Sequence, residues 1–174
     1  MQRTEIRIAG LGGQGVVLAG QILGRAAAYE GQYVVQTQSY GAEARGSGAK
    51  SEVILSRSRI GFPMVRKCDV LVVMSQDAIE NNLKDLKKNG TMLIDSSVIQ
   101  KIPNTRTRVK EIPATKMAEE QVGEKLAANM IMLGALVRAT KIVDETSMEK
   151  AICEAIPKKA TATNIRAFKI GLKS

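Results

Sequence analysis

The chain has no histidine and no tryptophan, and aromatic residues make up only 3% of its 174 positions. Without histidine the commonest general base is missing. A Ser-His-Asp or Cys-His site therefore cannot be built from this chain alone. The scarcity of aromatics means an aliphatic core, drawn from the 44% of residues that are hydrophobic. The two cysteines, Cys68 and Cys153, lie far apart and show no C-x-x-C spacing. They cannot by themselves hold an iron–sulfur cluster or a zinc ion, and they fit a reduced, cytoplasmic setting. No apolar run approaches the roughly 20 residues of a membrane span. Arg3, Glu5 and Arg7 near the N-terminus argue against a secretory signal.

Acidic residues are also in deficit, and the net charge is +9. The basic residues, Arg57, Lys88, Lys110 and Lys159 among them, are spread along the chain without interleaved aromatics for base stacking. Nucleic acid is therefore the last choice of partner. A solvated basic surface comes first, then an acidic protein partner or a phosphorylated cofactor.

What is present begins with a glycine motif. The short apolar strand at 4–9 runs into Gly10, Gly12 and Gly15 in G-x-G-x-x-G spacing, with Gly13 as a fourth glycine and Gln14 between them. A helical pattern over 14–29 follows, so strand, turn and helix occur in the order that gives such a motif meaning. Backbone N–H groups at a helix N-terminus favour an anion. A dinucleotide, another phosphate-bearing cofactor and a partner protein are all open as occupants. Close strand–helix packing also explains Gly15 without any ligand. A dinucleotide fold wants an acid at the end of the second strand to bind the ribose. That strand, at 32–38, ends in Gln36 and Gln38, and Glu30 precedes it. A stand-alone NAD(P) protein is accordingly the weaker alternative.

Strands are also predicted at 49–56, 68–74, 91–95 and 108–112. Ser75 is read as the cap of a helix over 76–88 that ends in Lys87 and Lys88 before Asn89-Gly90. Helical spacing covers 116–140 with a break near Gly123 or Ala128, and Asn129 is read as an N-cap. Helices at 145–156 and 162–173 are separated by Pro157. This alternation predicts one domain over 1–174, an α/β, three-layer Rossmann-like fold with a mainly parallel sheet and a helical C-terminal third.

The loop at 39–48 sets Tyr40, Glu43 and Arg45 among Gly41, Gly46 and Gly48. Following the second strand, it is expected to lie beside the 10–15 turn, where loops line the ligand crevice of such sheets. An Arg45 guanidinium suits a phosphate or carboxylate, while a Glu43–Arg45 pair that only orders the loop is equally open. The small residues Gly134 and Ala135 point to close helix packing, and Phe168 to a core anchor.

Gly10-Leu-Gly-Gly-Gln-Gly-Val16, Ser39-Tyr-Gly-Ala-Glu-Ala-Arg-Gly46, Asn129-Met-Ile-Met-Leu-Gly134 and Asn164-Ile-Arg-Ala-Phe168 occur in this order. Together they resemble the gamma subunit of 2-oxoacid:ferredoxin (acceptor) oxidoreductases over nearly the whole chain. Val16–Gly24 looks most like the 2-oxoglutarate branch; pyruvate, branched-chain and indolepyruvate branches are the alternatives. One departure is Ser47, where the family loop usually continues Arg-Gly-Gly. The resemblance implies a complex that converts a 2-oxoacid and coenzyme A to an acyl-CoA and carbon dioxide and reduces ferredoxin or another acceptor. It implies thiamine diphosphate, Mg and iron–sulfur clusters on alpha, beta and delta-type partner subunits, with no cofactor bound and no catalytic residue supplied by this chain alone. Gly10, Gly12, Gly13, Gln14, Gly15, Tyr40, Glu43, Arg45 and Gly46 are the candidate coenzyme A or subunit-interface surface. Membrane and nucleic acid are not expected partners.

Overall fold

A computed structural model of the chain describes residues 3–41 and 47–174. Strand β1 (Arg3–Leu11) leads through the glycine turn to helix α1 (Val16–Tyr29). A hairpin follows, β2 (Tyr33–Tyr40) and β3 (Gly48–Ser56). Then come β4 (Cys68–Val73), α2 (Gln76–Asn82), β5 (Leu86–Asp95), β6 (Arg108–Ile112) and a short α3 (Ala114–Met117). Helices α4 (Ala128–Thr140), α5 (Glu145–Ala155) and α6 (Lys158–Gly171) complete the chain.

The six strands form one sheet in the order β2-β3-β1-β4-β5-β6. Strands β1, β4, β5 and β6 pair in parallel. Strand β3 runs against both β1 and β2, so it alone is reversed. The result is the mainly parallel α/β architecture expected from the alternating pattern.

Alternation along the strands sorts the residues between two faces. Ile6, Ile8, Val53, Val70, Val72 and Leu93 face the larger core, which α1, α4, α5 and α6 cover. Ala9, Ile54, Leu71, Val73, Met92 and Ile94 face a smaller core closed by α2 and by the segments around Val65 and Ile99. Residues 128–137 of α4 are all buried, so this helix is apolar on every side and lies at the centre of the larger layer. It crosses α6 very closely. A Cβ at Gly134 would lie 2.2 Å from the Phe168 carbonyl oxygen, and one at Gly171 would lie 2.0 Å from the Ile131 carbonyl oxygen. Only glycine at both positions permits that approach. Phe168 itself is fully buried, as a core anchor should be.

Two expectations are corrected. The helix at 76–88 is shorter. After α2 a single 3-10 turn covers Leu83–Asp85, and β5 begins at Leu86. Lys87 and Lys88 therefore sit in a strand, where Lys87 pairs with Asp69 at 2.9 Å and Glu5 at 3.4 Å. Gly90 lies at a register shift between β4 and β5, where a side chain would meet the Asp69 carbonyl oxygen at 2.9 Å. The second correction concerns Asn129. It is the second residue of α4 rather than its cap, and its side chain reaches away to the glycine turn. The break before it is as expected: Gly123 is left-handed and ends a π-helical turn, and a 3-10 turn at Lys125–Ala127 precedes α4. Ser75 caps α2 by accepting from the Ala78 N–H at 3.3 Å.

Candidate functional site

The glycine turn sits where β1 ends, beside the mouth of the β2–β3 hairpin. The Gly12 N–H donates to the Ser47 carbonyl at 2.9 Å, and the Gly41 N–H to the Gly48 carbonyl at 2.7 Å. The turn and both ends of the 39–48 segment are thereby brought together. Glu43, Arg45 and Gly46 lie outside the described residues.

Most polar groups of the turn are engaged within the fold. The Leu11 N–H donates to Gln14 Oε1 at 2.6 Å, and Gln14 Nε2 donates to the Met74 carbonyl at 2.7 Å. Gln14 thus ties the end of β1 to the end of β4. Gly10 lies directly beneath this clamp, since a Cβ there would fall 2.4 Å from Gln14 Oε1. Gly15, at φ 73°, is the N-cap residue of α1, and its carbonyl accepts from Asn129 Nδ2 at 3.2 Å. Asn129 Oδ1 is buried without a hydrogen-bond partner among the described residues. Gly13, at φ 93°, is open, with nothing within 4 Å of a would-be Cβ. The first turn of α1 carries no acidic residue and no side-chain cap. An α-helix leaves its first N–H groups without intrahelical partners, so this end favours negative charge.

Two clefts open on either side of Tyr40, which is 60% exposed and lines both. The larger, about 650 Å³, lies on the α2 side between Gly10, Ser47, Lys50, Ser75, Asp77 and Asn81. The smaller, about 420 Å³, lies on the α1 side along Gly12, Gly13, Val17, Gln21 and Gln38. Lys50 supplies the cation of the larger cleft. Its only ion-pair partner among the described residues is Glu52, at 4.0 Å. Sequence reasoning missed these neighbours of the turn: the antiparallel β1–β3 pairing sets Lys50 opposite Ala9, and the parallel β1–β4 pairing brings Ser75, Asp77 and Asn81 there. Glu30, the acid nearest the second strand, accepts the Asp144 N–H at 2.7 Å instead of facing either cleft.

Sequence reasoning also missed the polar cluster under the larger cleft. Arg7 is 3% exposed in the middle of β1. Its guanidinium meets Glu52 at 2.6 Å, Asp85 at 2.6 Å and Asn82 at 3.2 Å. The signal was a lone arginine between Ile6 and Ile8. Burial works against the charge of Arg7, but the bonds to Asp85 and Glu52 prevail and raise its pKa. The same bond to Arg7 holds the Asp85 carboxyl below the usual range, against a smaller opposing effect of burial. At the end of β5, Asp95 is fully buried and accepts from Thr115 Oγ1 at 2.6 Å and from the Thr115 and Ser97 N–H groups at 3.1 Å. It fixes β5 to α3 and faces neither cleft.

Residues 5–174 match the family described as pyruvate ferredoxin/flavodoxin oxidoreductase. The chain is similar to the 2-oxoglutarate synthase subunit KorC of Methanocaldococcus jannaschii, at 48% identity over 97% of this chain and 92% of that protein. It is similar to the subunit of the same name from Methanothermobacter thermautotrophicus, at 46% identity over 97% and 93%. Among solved structures, the gamma subunit of a keto/oxoacid ferredoxin oxidoreductase from Geobacter sulfurreducens superposes with a TM-score of 0.88, 38% identity, and coverage of 98% of this chain and 96% of that one.

Proposed function

Since the chain belongs to the pyruvate ferredoxin/flavodoxin oxidoreductase family, we propose that it is the gamma subunit of a 2-oxoglutarate synthase. The complex would convert 2-oxoglutarate and coenzyme A to succinyl-CoA and carbon dioxide, passing two electrons to ferredoxin or another acceptor. The observation that carries this reading is near-full-length similarity to subunits bearing that name, at 48% and 46% identity. Relatives named for ketoisovalerate and pyruvate are less similar, at 34% and 30%.

The chain's own residues are suited to forming surface and not to redox chemistry. Its two cysteines do not fit an iron–sulfur cluster: Cys68 is buried in β4, where burial pushes its thiol up to about 11, and Cys153 is alone on α5. Thiamine diphosphate, Mg and the clusters belong to alpha, beta and delta-type partners in this reading. The glycine turn and the hairpin mouth pack against the thiamine-bearing subunits and form the coenzyme A side of the active site. Gly13, the α1 N-terminus, Lys50 and Tyr40 offer donors and a ring for a phosphate-bearing, elongated ligand. Arg45, outside the described residues, is kept as a candidate from its place in the sequence between Tyr40 and Gly48.

The test is anaerobic pull-down of the tagged chain from its native source, with mass spectrometry and a coenzyme A-dependent dye-reduction assay on 2-oxoglutarate. Co-purifying subunits that reduce dye faster with 2-oxoglutarate than with pyruvate support the reading. An inactive, solitary chain under conditions that preserve such complexes overturns it. Within an active complex, Arg45→Ala and Lys50→Ala are expected to raise KM for coenzyme A and leave KM for 2-oxoglutarate unchanged. Turnover and KM untouched by both would reduce the hairpin mouth to a packing surface.

A further inference from the structure

At the opposite end of the sheet from the glycine turn, residues 57–67 connect β3 to β4. This segment carries Arg57, Arg59, Arg66 and Lys67 and no carboxylate. It is pinned at several points. Val65 is buried in the smaller core, Arg3 Nη2 donates to the Phe62 carbonyl at 3.0 Å, and Lys67 Nζ donates to the Lys84 carbonyl at 2.5 Å. Pinned in this way, it still presents Phe62 and Met64 outward, 43% and 60% exposed. The two side chains line a cleft of about 270 Å³ whose other walls are Arg3, Glu5, Arg66, Lys67 and Lys87.

The charges of this cleft are unbalanced. Glu5 is engaged by Arg3 and Lys87, and Lys87 also holds Asp69. Among the described residues, none of Arg57, Arg59, Arg66 and Lys67 forms an ion pair. Arg66 lies over the Phe62 ring at 4.9 Å from its centroid, which holds both side chains in place. An apolar pair on a pinned loop, flanked in the cleft by Arg66 and Lys67, which form no ion pair, has the anatomy of a pre-formed binding spot with an apolar centre and a polar rim. A second copy of the chain is a poor occupant, because two molecules of charge +9 would meet basic face to basic face.

We infer that Phe62 and Met64, within the basic rim of residues 57–67, form a docking site for an acidic segment of another protein chain that inserts an apolar side chain between them. The inference rests on the proposed membership of a multi-subunit oxidoreductase, whose other chains are the candidate owners of that segment. Apolar contact provides the anchor, and the rim charges provide salt-sensitive steering.

The test uses the complex assembled from this chain and its co-encoded subunits. Assembly itself is scored first by gel filtration, and its failure counts against the proposed function. In the assembled complex, a photo-reactive p-benzoylphenylalanine in place of Met64 is expected to cross-link to a segment of another subunit rich in Asp and Glu. Arg66→Glu and Met64→Glu, each with unchanged thermal unfolding of the free chain, are expected to weaken association by about tenfold or more. Reversing the cross-linked acids to Lys should restore the affinity of Arg66→Glu. A complex that assembles with position 64 uncross-linked, or cross-linked to a second copy of this chain or to nucleic acid, overturns the inference. So does undiminished affinity of both variants.

Discussion

The Asn129 side chain on α4 donates to the carbonyl of Gly15, the N-cap residue of α1, at 3.2 Å. This one bond ties the glycine turn to the buried helix at the centre of the larger core. Gly15 is confined from two directions: its φ of 73° disfavours a side chain, and a Cβ would lie 2.2 Å from Asn129 Nδ2. Gly15→Ala is therefore expected to lose about 2–3 kcal/mol, from left-handed strain and the clash together. Adding Asn129→Ala removes the clash but not the strain. The double variant should then be less destabilised than the sum of the singles, by about 1 kcal/mol. Urea unfolding of the four proteins checks this; strict additivity would mean that the two residues do not touch.

Arg7 gives a pH-dependent prediction. Arg7→Met strands Glu52 and Asp85, and it should lose about 2–3 kcal/mol near neutral pH. That lies below the ~3–5 kcal/mol of a fully buried pair, because the Asp85 side chain is 29% exposed. The bond to Arg7 depresses the Asp85 pKa in the folded state. Its stabilisation is therefore complete above the unfolded carboxylate pKa and is lost as pH falls through the folded value. The wild type should lose this contribution from about pH 5 downward, and Arg7→Met should show a flatter acid limb. Parallel acid limbs would contradict the pairing.

The two thiols should differ sharply in reactivity. Cys68 is fully buried with its thiol pushed up to about 11, whereas Cys153 is exposed. A thiol-disulfide reagent near neutral pH should modify Cys153 readily and Cys68 only on unfolding. Cys153→Ser should abolish the fast phase. Two fast thiols in the native wild type would refute the burial of Cys68.

The α4–α6 crossing should be intolerant of any side chain. Gly134→Ala places a methyl group against α6 backbone that cannot swing aside, with an expected loss of about 3 kcal/mol, the top of the overpacking range. Gly61→Ala, with nothing within 4 Å, should stay within about 0.5 kcal/mol of wild type. Equal effects of the two substitutions would rule out the close crossing.

Much of this architecture was legible because the signals are local. Strand, glycine turn and helix follow each other directly in the sequence. The apolar runs at Val70–Val73 and Leu93–Ile94 mark strands buried on both faces, and Pro157 separates α5 from α6. The misreadings arose where a distant partner decides. Lys87 and Lys88 resemble the basic end of a helix, but the pairing of Lys87 with Asp69 and Glu5 is made across strands. Asn129 resembles a cap, yet its partner Gly15 is 114 positions away. Arg7 finds Asp85 across 78 positions. Of the candidate site, the nearness of turn and hairpin could be read from topology. Lys50, Ser75 and Asn81 could not, because the first depends on β3 pairing antiparallel to β1 and the other two on β4 pairing beside β1.

The most direct test of the central claim is an omission assay. The subunits encoded with this chain would be combined anaerobically with and without it, and coenzyme A-dependent dye reduction measured with 2-oxoglutarate and with pyruvate. The account predicts that activity requires this chain and favours 2-oxoglutarate. Full activity in its absence, or no association with those subunits, would contradict it.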